Sequence, residues 1–191
     1  MRHSRWHTSK SDEVERESRT VRSILTCRSD TSSFGTFSVG NVAALSQLQK
    51  ETYTLAAPGP VADRQDAPHL HHAILDPTKK YILVPDLGSD LVRVYKINGT
   101  SVWAVAPVKA VPGSGPRHGA FAVAGSSTFF YTLNELTNSI TGYTVAYKDA
   151  GPEFTRVFDF SSHGPGGSVP KGTKAAEIVV SVSDLLLRVA S

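Results

Sequence analysis

From Phe34 onward, short apolar and β-branched runs alternate with Gly, Pro, Asn and Asp punctuation, and no stretch carries the i, i+3, i+4 apolar spacing of an amphipathic helix. The pattern predicts an all-β fold. Two segments then repeat. HAILDPTKKYILVPDLGSDLVRVYKI, from His72, aligns with HGAFAVAGSSTFFYTLNELTNSITGYTV, from His118, which sets the histidines 46 residues apart and aligns Asp86 with Glu135 at a spacing of 49. A period of about 40 to 50 residues with several strands per unit is the sequence sign of propeller blades. FGTFSV and KETYTL read as outer strands of an earlier blade, and a third copy begins at AAEIVV, from Ala175, and reaches Ser191 within its second strand. The expectation is two nearly complete blades with partial ones on either side. Since propellers close at about four to eight blades, the chain reads as an incomplete propeller, an interior fragment whose open blade edges offer self-association.

The first 33 residues stand apart from this pattern. They are rich in Ser, Arg and mixed charge without apolar periodicity, so the chain divides into a disordered or unrelated segment, 1–33, and a partial propeller domain, 34–191. The formal charge of +3 hardly belongs to the propeller: residues 1–30 carry seven Lys/Arg against five Asp/Glu, and the remainder 13 against 12. That balance, without a basic stripe, argues against nucleic acid as a partner. No apolar run approaches the roughly 20 residues of a membrane span, and the N-terminus lacks the apolar core of a secretory signal, so a cytoplasmic protein with no membrane partner is expected. One cysteine, Cys27, excludes an intrachain disulfide.

Blade topology sorts the polar residues. In an antiparallel meander the innermost strand starts, and the second strand ends, on the same face of the disc. His69, His71 and His72 open the first innermost strand, Arg117 and His118 the next, and Glu177 the third, while Asp86 and Glu135 end second strands. All of them are expected at one mouth of a central channel. Arg117 offers forked donors to a carboxylate, a phosphate or a developing oxyanion. Glu135 suits general acid or base work if burial raises its pKa, and a histidine near neutrality can share it. His71, Arg117 and Glu135 are therefore the candidate catalytic set, with His69, His72, His118 and Glu177 as substrate contacts.

Each residue also has a structural reading. Arg117 could pair with a carboxylate at a blade junction, Glu135 could accept backbone hydrogen bonds in its turn, and Asp86 reads as a turn residue. His69 and His71, two apart on an extended strand, face the same way but form only part of a metal site, so no metal is expected, and no cofactor. The Gly/Pro stretch from His163 to Gly172 precedes no helix and reads as an ordinary loop rather than a phosphate cradle.

The combination DRQDAPHLHHAILDPTKKYILVPDLGSDLVRVYKI, PGSGPRHGAF, YTLNELTNSITGY and GTKAAEI resembles the seven-bladed β-propeller lactonase family, which includes 6-phosphogluconolactonase-like proteins and fungal carboxy-cis,cis-muconate cyclases. The resemblance implies about three of seven blades here, and matches the His69 to His72 cluster, Arg117 and Glu135 to family active-site positions. It departs where Leu70 replaces a proline, at Val123-Ala124-Gly125, and in lacking the Ser-Asn-Arg that follows the third copy and supplies a second active-site arginine. It implies a small anionic lactone or carboxylate substrate and two activities, hydrolysis of a sugar-acid lactone or lactone-forming cycloisomerisation of a carboxymuconate; the third copy's stop within a blade adds another reading, a non-catalytic propeller fragment.

Overall fold

Side chains that tolerate left-handed backbone set the turns. Asp90 and Asn138, with φ of 50° and 49°, close equivalent turns 48 residues apart, and Gly99 and Gly125 close the hairpins that follow Asn98 and Ala124. The computed structural model describes residues 22–24, 32–41, 44–166, 168–181 and 187–190. Among these it is all-β, with no helix, in four antiparallel sheets. The first joins β1 (Arg22–Ile24), β2 (Ser33–Asn41) and β3 (Ala44–Thr52). The second is the meander β4 (Ile74–Leu75), β5 (Tyr81–Asp86), β6 (Leu91–Asn98) and β7 (Ser101–Lys109). The third repeats it as β8 (Pro116–Ala124), β9 (Ser127–Asn134), β10 (Ser139–Lys148) and β11 (Gly151–Ser161), and β12 (Glu177–Val180) pairs with β13 (Leu187–Ala190). The two complete blades and their partial neighbours are thus those expected from the repeat. Of the segment set apart as 1–33, Arg22–Ile24 pair with β2, while residues 1–21 and 25–31, including Cys27, lie outside the described residues.

The blades hold together face to face. All six residues of β5 are buried, so its alternating side chains serve two interfaces. Ile82 and Val84 pack with Phe34, Leu70, Tyr95 and Val102 toward the preceding sheet. Tyr81 and Leu83 pack with Phe130, Tyr143 and Val145 of the following one. Leu133 and Ile140 then meet Ala175 and Ile178, joining the second full blade to β12. The outermost strands have no such second interface, which leaves Trp103 of β7 and Phe160 of β11 exposed.

Register corrects the repeat alignment by one residue. Asp86 pairs with Leu91 and Asn134 with Ser139, so Asp86 is the counterpart of Asn134, and Glu135 that of Leu87. Leu87 N donates to His69 O just as Glu135 N donates to Gly115 O. A one-residue slip reverses the face a side chain presents, and the two acids accordingly do different jobs. Asp86 is fully buried and accepts from the His69 and Ser89 amides, the Ser89 hydroxyl and the Arg93 guanidinium, which makes it the turn residue its sequence suggested.

Candidate active site

Three polar latches set the segments that carry charge to the rim. In the loop before the first full blade, the fully buried Gln65 donates to Leu87 O (2.9 Å) and accepts from Val61 N (3.1 Å), which fixes neighbouring Arg64. The Asp90 carboxylate accepts from Gly113 N at 2.6 Å and Gly115 N at 2.9 Å, folding the loop that delivers Arg117. Gly115 there has φ 63°, and an added Cβ would lie 2.5 Å from Leu136 Cγ, so the position requires glycine. One blade later Asn138 repeats the device: its side chain donates to Thr173 O (2.9 Å) and accepts from Ala175 N (2.7 Å), on either side of Lys174.

These segments converge on Glu135, whose side chain is 2% exposed. Arg64 Nη2 donates to Oε1 at 2.6 Å, Arg117 Nη1 donates to Oε2, and Lys174 Nζ stands 3.6 Å from Oε1. Burial alone would raise this carboxyl, but Arg117, Arg64 and Lys174 together outweigh it and hold the pKa below the usual glutamate value. This overturns the expectation of a carboxyl raised toward neutrality. Glu135 is an ionised anchor for cations, and a poor proton donor at neutral pH.

His71 lies in the field of the same ion cluster. Burial, reinforced by the Arg117 charge and only partly offset by Glu135, pushes its imidazole down to about 4, so it is neutral across the physiological range. His71 N donates to Pro85 O (3.2 Å), and Leu70, on the other face, is buried in an isolated bridge to Asp86. The innermost strand is therefore irregular until Ile74.

The other expected contacts fall in two further places. His72 and His118 lie with ring centroids 4.9 Å apart, and His118 Nδ1 is 2.8 Å from Glu177 Oε1, so one residue from each of three successive innermost segments forms a column. Burial would raise Glu177, yet His118, the Ile178 amide and His72 hold it below its usual range. Burial and the neighbouring His118 lower His72 as well. His69 turns aside: its Nε2 meets Asp66 Oδ1 at 3.0 Å. Among the described residues no group of three His, Cys, Asp or Glu is disposed to hold a metal, and no helix is long and apolar enough to cross a membrane.

Arg64, Lys174 and Asp90 escaped the sequence reading. Arg64 and Lys174 lie in two of the segments quoted above, DRQDAP and GTKAAEI, but their role emerges only from convergence with a carboxylate 71 and 39 residues away. Asp90 had a signal, since Asn138 occupies its position in the next repeat.

A stack of four-stranded antiparallel meanders with charged residues at the starts of adjoining innermost strands defines a β-propeller with a polar rim site. Residues 16–191 match the family described as lactonase, 7-bladed β-propeller, and the chain belongs to that family. A protein of Arthroderma benhamiae named "Probable 6-phosphogluconolactonase" is 35% identical over 164 residues, which are 84% of this chain and 40% of that protein. The 6-phosphogluconolactonase of Formosa agariphila is 32% identical over 100 residues, covering 50% of this chain and 28% of that one. Among solved structures, the periplasmic gluconolactonase of Pseudomonas aeruginosa superposes with a TM-score of 0.65 at 23% identity, over 88% of this chain and 47% of that one, a likeness of fold. The chain thus spans about two-fifths or less of the length of these two curated relatives.

Proposed function

We propose that this chain carries part of the active site of a lactonase that hydrolyses a sugar-acid lactone, of the kind named in its 6-phosphogluconolactonase relatives. The observation that carries the proposal is Arg117, a permanently charged arginine held at the start of an innermost strand by the buried, ionised Glu135, with a neutral His71 in the field of the same charges. His71 takes a proton from water as its oxygen bonds to the lactone carbonyl carbon. Arg117 stabilises the oxyanion that forms. When the ring C–O bond breaks, the imidazolium returns the proton to the departing alkoxide, leaving a hydroxy acid. Glu135 positions Arg117, and the His72, His118 and Glu177 column borders the substrate.

Lactone-forming cycloisomerisation needs the same kinds of group but a different substrate. Incubation with 6-phosphogluconolactone and with carboxymuconate separates the two: ring opening faster than the spontaneous rate supports the lactonase, whereas loss of the conjugated diene's ultraviolet absorbance supports the cyclase. Catalysis of neither reaction by a folded chain supports the non-catalytic reading. A cytoplasmic location and self-association through open blade edges belong to the same proposal.

A further inference from the structure

Arg117 sits in a break of the blade ladder. Pro116 pairs with Asn134 and His118 with Leu133, so Arg117 is an extra residue opposite β9, a β-bulge at the start of β8. A regular pleat would send Arg117 and His118 to opposite faces, yet both reach the rim: Arg117 meets Glu135, and His118 meets His72 and Glu177. The preceding blade has the same order. Leu70 pairs with Asp86 as Pro116 pairs with Asn134, which makes His71 the counterpart of Arg117 and His72 that of His118. Each of these blades supplies one residue to the reacting pair and the next residue to the column.

The column ends on the third copy, at Glu177. Just after the bulge the backbone is pinned, since Gly119 N donates to His72 Nδ1 at 3.5 Å and an added Cβ at Gly119 would lie 2.9 Å from Tyr131 O. The bulge itself is gripped through its His118 ring, by His72 of one neighbouring segment and Glu177 of the other. Glu177 has no part in packing β12 against this blade: Ala175 and Ile178 are buried with Leu133 and Ile140, whereas the Glu177 side chain is 47% exposed. We infer that Glu177 is a positioning residue for Arg117, which from the third copy holds the His118 ring against His72 and so fixes the bulge from which Arg117 projects. Naming the reaction that Arg117 serves rests on the lactonase reading. The hold of Glu177 on Arg117 does not.

The test takes two readouts on the 191-residue chain: the Glu135 carboxyl titration by carbon-13 NMR, and kcat and KM for 6-phosphogluconolactone opening. Both are measured for wild type, Glu177→Met, Glu177→Gln, His118→Leu and the double variant Glu177→Met with His118→Leu. In Glu177→Met the loosened Arg117 is expected to let the Glu135 titration rise toward its usual 4.5, whereas removal of a nearby negative charge alone would move it down. Lys174, on the same segment as Glu177, is held separately by Asn138, so the rise reports Arg117. Turnover should fall at least about tenfold with KM little changed, since Arg117 meets the oxyanion only as it forms. Glu177→Gln keeps an acceptor for His118 and should retain most of both readouts. His118→Leu should reproduce the losses and the double variant add nothing to them, because Glu177 acts through His118. A Glu135 titration that stays or falls in Glu177→Met, an active chain whose turnover that substitution leaves unchanged, or double-variant losses that sum would overturn the positioning role. The half-exposed Glu177 tolerates substitution, so its two variants decide the matter if His118→Leu fails to fold. A folded wild type that opens no lactone would remove the lactonase reading, while a raised Glu135 titration in Glu177→Met would still uphold the hold on Arg117. Lactone opening with an unmoved Glu135 titration would do the reverse.

Discussion

Replacing Glu135 with Gln probes the central ion cluster with little change of shape. In the wild-type chain this carboxylate accepts from two guanidinium groups and faces an ammonium group. The amide keeps one acceptor oxygen but turns an NH2 donor toward cations. Breaking a fully buried ion pair costs about 3 to 5 kcal/mol, and a hydrogen bond to a charged group contributes about 1.5 to 3 kcal/mol. The three cations here retain 30% to 44% exposure and recover some hydration, which places the expected loss near the lower end, about 2 to 3 kcal/mol at pH 7. For a domain of this size that is a fall in Tm of about 5 to 10 °C. The pH dependence supplies an internal check. A depressed carboxyl contributes stability that is complete above its unfolded-state value, 4.5, and is lost as pH falls through its lower folded-state value. Urea denaturation followed by circular dichroism should therefore show a wild-type advantage at pH 7 that narrows below pH 4.5. A difference under about 0.5 kcal/mol at pH 7, or one unchanged at pH 3, would refute the assignment of Glu135 as the cluster's ionised anchor.

Three further outcomes follow from other parts of the fold. Asp90→Ala removes both carboxylate contacts to the Gly113 and Gly115 amides and places alanine at φ 50°, so it should lower stability by about 2 to 3 kcal/mol in urea melts, with Asp90→Asn losing about half as much. Gly88→Ala would set a Cβ 1.7 Å from Ala67 O, whereas Gly99→Ala meets only open space at φ 60°; the first should cost at least about 3 kcal/mol and the second about 1 to 2, compared by thermal melts. If His71 is the base, the acid limb of kcat/KM for lactone opening lies near pH 4, where His71 gains its proton, and not near the usual histidine value of 6.5.

The sequence pattern carried the fold because a propeller is built from local meanders, and the period of strands and turns is written into each blade. It carried the rim residues for the same reason, since topology alone brings strand starts together. Its limits are equally physical. The alignment of Asp86 with Glu135 failed by one position because turn lengths differ between the repeats, and only the hydrogen-bonded register distinguishes Asn134 from Glu135 as the end of β9. The pKa of Glu135 could not be anticipated, because its sign depends on Arg64 and Lys174, which are distant in the chain. His69 was expected beside His71 on one strand face, but its ring is drawn to Asp66, three residues earlier, where the innermost strand has not yet become regular.

Participation of His71 and Arg117 in lactone opening is measured by the rate of 6-phosphogluconolactone opening by the 191-residue chain above the spontaneous rate, for wild type, His71→Gln and Arg117→Met, with circular dichroism verifying that each is folded. The wild-type rate is expected to be proportional to protein concentration and to fall at least about a hundredfold in each variant, the scale of losing a general base or an oxyanion donor. Folded variants that match the wild-type rate, or a folded wild-type chain that adds nothing to the spontaneous rate, would contradict it.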